Sequence, residues 1–139
     1  MSSTSTAAAT DSGLRGIALS ALVVTVISGV VNTLISLGAQ ALGADAGLVM
    51  GLQPVTFLVF TLIGALLGGL GWHLVRRRAA DPARTLRWLV PAVVAVSLVP
   101  DLLVAVSFSA VGGIALGLMH LVVAGVAVPT YRRFLPLPR

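Results

Sequence analysis

The chain contains no cysteine, no lysine and no glutamate. Without cysteine there are no disulfides, no thiolate nucleophiles and no Cys-based metal sites. Without glutamate, all four acids are aspartates: Asp11, Asp45, Asp81 and Asp101. Without lysine, all nine cations are arginines. Charge is scarce altogether, at 9% of 139 residues, where soluble domains carry roughly 25%. A water-facing surface cannot be built from so few charges. Apolar residues make up 58%, and the solvent this composition matches is lipid. The net charge of +5 invites a nucleic-acid reading, because basic patches neutralise phosphates. The arginines, however, sit beside long apolar runs, where signals of membrane topology belong. No nucleic-acid partner is expected; the expected partner is the lipid bilayer.

A membrane-crossing helix needs about 20 apolar residues, and the chain holds four such runs. Residues 1–13 are rich in Ser, Thr and Ala and read as a disordered tail, with Asp11 or Ser12 as a helix cap. Span one covers about 15–37. It is too long for the ~7–15-residue core of a signal peptide, although Ala39-Gln40-Ala41 is a passable cleavage site. A Gly/Ala-rich loop leads to span two, 52–75, stopped by Arg76, Arg77 and Arg78. Ala79 to Arg87 is the one clearly polar connection, with Asp81-Pro82 marking a turn. Span three covers 88–108, with Pro91 in its first turn. Span four covers 112–130, ended by Pro129, and 136–139 forms a C-terminal tail. The membrane domain is 14–135. No strand-like alternation is present. The predicted fold is all-α, an integral membrane four-helix bundle of two antiparallel hairpins.

Orientation follows from where the arginines fall. Arg15 precedes span one. Arg76, Arg77, Arg78, Arg84 and Arg87 lie between spans two and three, and Arg132, Arg133 and Arg139 follow span four. Four crossings place all nine on one side, and arginine excess marks the cytoplasmic side. Both termini are therefore expected in the cytoplasm. Trp72, Trp88 and Tyr131 neighbour these clusters and are expected at the same membrane–water boundary.

Few polar groups fall inside the spans. Asp101 is the most informative, because a carboxylate at mid-membrane costs about 2.5 kcal/mol or more. If the hairpin turns near Ala110, Asp101 lies nine positions before it and His120 ten after. At about 1.5 Å per residue both reach a depth of roughly 14–15 Å, near the middle of the bilayer. The two are expected to meet, either as a titratable pair in a polar cavity or as a contact pinning two helices. Pro100 should bend span three just before Asp101, and Ser97 lies one turn away. Ser28, Asn32 and Ser36 form a polar stripe on span one. Gly64-x-x-x-Gly68 and Gly113-x-x-x-Gly117 permit close helix packing. His73 precedes the arginine triplet and reads as interfacial.

The familiar catalytic patterns are missing. There is no phosphate loop ending in lysine, no H-E-x-x-H and no G-x-S-x-G. No catalytic, cofactor-binding or metal-binding residue is assigned, and no enzyme is expected. The segments PVTFLVFTLIGALLGGL, VAVSLVPDLL and LGLMHLVVAGVAVPTYRRFLP resemble an uncharacterised family of four-helix membrane proteins from high-GC bacteria. That resemblance implies a four-helix bundle in a bacterial inner membrane and brings no activity. The small multidrug-resistance transporters also have four short spans, but they rely on a glutamate in the first helix, and this chain has none. The functional expectation is a non-enzymatic scaffold or interaction subunit, associating with itself or another membrane protein. The alternative is a small proton- or ion-coupled transporter using Asp101 and His120.

Overall fold

The fold is taken from a computed structural model that describes residues 3–138, with side chains from 13 onward. Met1, Ser2 and Arg139, which the sequence reading placed in the two tails, lie outside the described residues. The described chain is helical, with five helices: α1 (Ser3–Ala41), α2 (Pro54–Arg78), α3 (Pro82–Ser97), α4 (Val99–Ser107) and α5 (Ala110–Phe134). Four segments are long and apolar enough to cross a membrane: Gly13–Ala41, Pro54–Arg78, Pro82–Ser107 and Ala110–Phe134. The third of these comprises both α3 and α4.

Each helix end has a local cause. At the end of α1, Gly43 takes a φ of +95°. This lets Ala44 N–H donate to the Ala39 carbonyl at 2.9 Å, the wrap of a Schellman cap. Pro54 opens α2 at its first position, and Arg76, Arg77 and Arg78 close it, complementing the negative end of the helix dipole. Asp81 caps α3 by accepting from Arg84 N–H at 2.9 Å, with Pro82 next. Ser109 caps α5 by accepting from Gly112 N–H at 3.0 Å.

Several boundaries differ from the sequence reading. The helix runs back over Ser3 to Ser12, so Asp11 and Ser12 lie within α1 and not at its cap. Alanine is the strongest helix former, and extending an existing helix needs no new nucleus. The polar connection before span three shrinks to Ala79–Asp81, because Asp81 and Pro82 start a helix there. Arg84 and Arg87 therefore ride on α3, and Pro91 is interior to it. Pro129 does not end span four: α5 continues through it to Phe134. An interior proline deletes one backbone donor, here the one that would reach the Gly125 carbonyl, and the helix carries on without it.

The helices pair as the two expected antiparallel hairpins, α1 with α2 and α4 with α5, and α1 joins them by packing along α5. α1 is the central rod and packs along both α2 and α5, while α4 lies against the far side of α5. α3 touches α2 and α5 only lightly, and the third span is the least buried of the four. Gly13 abuts His73, and Gly16 abuts Phe134 and Leu135. The start of α1 and the ends of α2 and α5 therefore share one end of the molecule, the Arg-rich end. Gly51 touches Leu116 and Gly112 touches Val49 at the opposite end.

Apolar clusters fill both ends. The Arg-rich end buries Ile17, Val24, Trp72, Tyr131 and Leu135. The other end buries Ala39, Leu52, Phe57, Ala115 and Met119. The buried face of α2 is Phe57, Thr61, Ala65, Gly69 and Trp72. This lies one position over from the Gly64–Gly68 pair. Gly64 faces open space, and Gly68 borders the face against the Tyr131 hydroxyl. Gly113 is the close-packing residue on α5: a Cβ there would lie 2.5 Å from Ala105 Cα and collide with Ala105 Cβ. Gly117 has only Leu98 nearby, at ordinary contact distance.

Candidate functional site

The third span breaks where the sequence places Pro100. α3 ends at Ser97, Leu98 sits between the helices, and α4 begins at Val99. The break creates a helix N-terminus inside the membrane-spanning segment, and Asp101 occupies its first turn. A helix N-terminus carries partial positive charge and favours an anion. The proline that costs the span its continuity thus provides a place where a carboxylate is tolerated. Ser97 donates locally to the Val94 carbonyl at 2.8 Å and does not reach Asp101.

Asp101 points from α4 towards α5, where the backbones approach closely at Ala105 and Gly113. Its Oδ2 lies 2.6 Å from His120 Nδ1. Asp101 is buried, whereas the His120 side chain is 43% exposed. The same Nδ1 lies 3.2 Å from the Leu116 carbonyl. That oxygen can only accept, so the partners assign the proton to Nδ1. The approach to Asp101 is short, and Oδ2 has no other partner. The contact is chiefly electrostatic, and the buried oxygen depends on this one imidazole. A crevice of about 320 Å³ opens beside the pair. Apart from Asp101 it is lined by apolar and glycine residues of α3, α4 and α5, among them Leu98, Leu102 and Ile114.

The polar stripe of α1 is a separate feature. Ser28, Asn32 and Ser36 are all buried, and α1 packs chiefly on α2 and α5. Ser36 donates to the Leu52 carbonyl at 2.6 Å, tying α1 to the 3-10 turn before α2. Gln40 in turn donates to Ser36 Oγ at 3.0 Å. Ser28 Oγ and Asn32 Oδ1 have no partner, and neither does Thr25 Oγ1 on the same helix. The stripe therefore divides into one anchoring residue and a mid-helix set of unpaired polar atoms.

The three aromatics near the arginine clusters differ in burial. Trp88 is 70% exposed and looks outward. Trp72 and Tyr131 stand at the Arg-rich end but are buried, with their rings 5.8 Å apart. Trp72 Nε1 donates to the Leu135 carbonyl at 3.0 Å, and Tyr131 OH donates to the Ala65 carbonyl at 2.6 Å. Each ring needs an apolar environment and one hydrogen-bond acceptor, and the helix ends supply both. Arg76 also donates to the Pro136 carbonyl at 3.3 Å, so the segment expected as a free C-terminal tail is tied down at 136. His73 is half-buried against Gly13, with its Nδ1 unpartnered. The sequence reading missed Leu135, which is almost fully buried. Its place between Phe134 and Pro136 gives no periodic signal.

A second concavity lies at the Arg-rich end, between the first turns of α3 and the last turns of α5. It measures about 890 Å³ and is lined by Arg84, Arg87 and Arg132 together with Trp72, Val90 and Val128. Among the described residues, no group of His, Cys, Asp or Glu is arranged to hold a metal ion.

No curated protein and no solved structure matches the chain. Residues 12–136 match the model of a family of unknown function, DUF6069. Those residues take in all four apolar helical segments and the Asp101–His120 contact, and the chain belongs to that family.

Proposed function

We propose that this chain is a non-enzymatic interaction subunit of a bacterial inner membrane, with its Arg-rich end in the cytoplasm. The observation that carries this reading is the exposure of His120 on the outer face of the α4–α5 seam. In a bilayer an imidazole directed at hydrocarbon is costly, as is any polar group without a partner. The third span is also thinly covered. A helix from another membrane protein, or from a second copy, would cover the imidazole and accept or donate at Nε2. Arginine excess at one end supports the cytoplasmic assignment.

Photo-crosslinkers placed at Val106 and Leu121 beside the seam, and at the exposed Leu34 on α1, test this in native membranes. The seam positions should yield a specific adduct that is lost in His120→Ala, and Leu34 should not. A chain that stays monomeric and uncrosslinked at all three positions refutes the reading. Reporter fusions at residue 80 should place the Ala79–Asp81 connection in the cytoplasm.

A second reading is a proton- or ion-coupled carrier. The Asp101–His120 contact beside the 320 Å³ crevice favours it. A carrier needs a polar path to its central site, and the crevice walls are apolar except for Asp101. Proteoliposomes loaded with a pH dye separate the two readings. Flux abolished by Asp101→Asn supports the carrier, and no flux with intact crosslinking supports the interaction subunit.

A further inference from the structure

We infer that the groove at the Arg-rich end holds one anionic phospholipid. Its phosphate is bound by Arg84, Arg87 and Arg132, and its first methylenes lie along Val90, Pro91 and Val128. The groove is amphiphilic by construction. Arg84 and Arg87 are three residues apart on α3 and share a face, and Arg132 comes from the last turn of α5. All three side chains are exposed, and among the described residues no carboxylate pairs with them. Asp81, the one acid in the lining, caps α3 through the Arg84 N–H.

The remaining walls are apolar, with Trp72 and Leu86 buried beneath. Guanidinium forks match phosphate oxygens in a bidentate manner. Basic pockets between transmembrane helices recognise lipid headgroups in this way. Depth agrees with the chemistry. Trp88 follows Arg87 on α3 and is exposed, and an outward tryptophan sits at headgroup level.

The groove exists because α3 stands away from α5. Its volume of about 890 Å³ lies towards the upper end of the usual ~300–1,000 Å³ range for small-molecule sites. It accommodates a headgroup and glycerol more readily than a lone anion. A water-soluble phosphate would leave Val90, Pro91 and Val128 bare, so the occupant is a lipid.

The test uses the full chain in nanodiscs, with spin-labelled phosphatidylglycerol or phosphatidylcholine as probes and inorganic phosphate as competitor. Phosphatidylglycerol should be preferred. Replacing Arg84, Arg87 and Arg132 together by Gln should reduce its affinity roughly a hundredfold, at about fivefold per guanidinium. Arg77→Gln with Arg78→Gln and Arg133→Gln removes the same charge from outside the groove and should leave the preference within about twofold. If the first triple variant fails to fold, Arg→Lys at the same three positions keeps the charge and removes the fork, and should still weaken binding several-fold. An equal loss in the control variant overturns the inference, because binding would then follow net charge alone. Displacement by millimolar inorganic phosphate also overturns it, because the apolar wall would then contribute nothing.

Discussion

Gly113→Ala should separate α4 from α5 and disturb the Asp101–His120 contact, two turns along α5 from the substitution. The added Cβ would stand 2.5 Å from Ala105 Cα and equally close to its backbone nitrogen. Carbon atoms settle at about 3.5–4.0 Å, so the backbones must part by roughly 1 Å. No side-chain rotation relieves the clash, because the obstructing atoms belong to the main chain. Overpacking of this kind costs about 1–3 kcal/mol. A shift of that size also carries Oδ2 from 2.6 Å to beyond hydrogen-bond reach of Nδ1, removing about 0.6 kcal/mol more for a polar contact in a membrane. The expected total is roughly 2–4 kcal/mol. Reversible unfolding in bicelles, followed by steric trapping or far-UV circular dichroism, measures it. Gly64→Ala is the matched control, since nothing lies within 4 Å of its Cβ position, and it should be neutral or slightly stabilising. Equal stability of the two variants would refute the close approach of α4 and α5.

The other predictions concern single polar atoms, read in the same unfolding assay. Ser36→Ala strips the Leu52 carbonyl of its 2.6 Å donor and should cost about 1 kcal/mol. Ser28→Ala removes a buried hydroxyl that has no partner, so it should be neutral or stabilising; a loss as large as that of Ser36→Ala would show that Ser28 is bonded after all. Tyr131→Phe deletes the donor to the Ala65 carbonyl and should cost about 0.5–1.5 kcal/mol. Trp72→Phe should cost more, because it loses both the bond to Leu135 and ring volume in a buried cluster; equal costs would contradict the anchoring of Leu135 by Trp72.

Much of the architecture could be read along the chain. Four long apolar runs and a one-sided arginine distribution are properties of sequence alone, because crossing a bilayer is a matter of length and hydropathy. The meeting of Asp101 and His120 was also legible, since two positions equidistant from a hairpin turn lie at equal depth. The break before Asp101 followed from Pro100. Helix ends were less legible. Pro91 and Pro129 look like punctuation, yet each helix continues through the single missing donor, because the rest of its backbone ladder remains.

Which helices touch was decided only in three dimensions. An apolar span is greasy on every side, so its sequence does not mark the face that meets a neighbour. The Gly64–Gly68 spacing therefore suggested a packing face, while the helix buries Thr61, Ala65 and Gly69 one position away. Trp72 and Tyr131 fall beside the arginine clusters in sequence, but their burial against each other and against Leu135 depends on what lies alongside. The exposure of His120 and the Arg84–Arg87–Arg132 groove likewise come from lateral placement. Along the membrane normal, hydropathy determines position. Within the membrane plane, position is set by shape and by where each polar atom finds its partner.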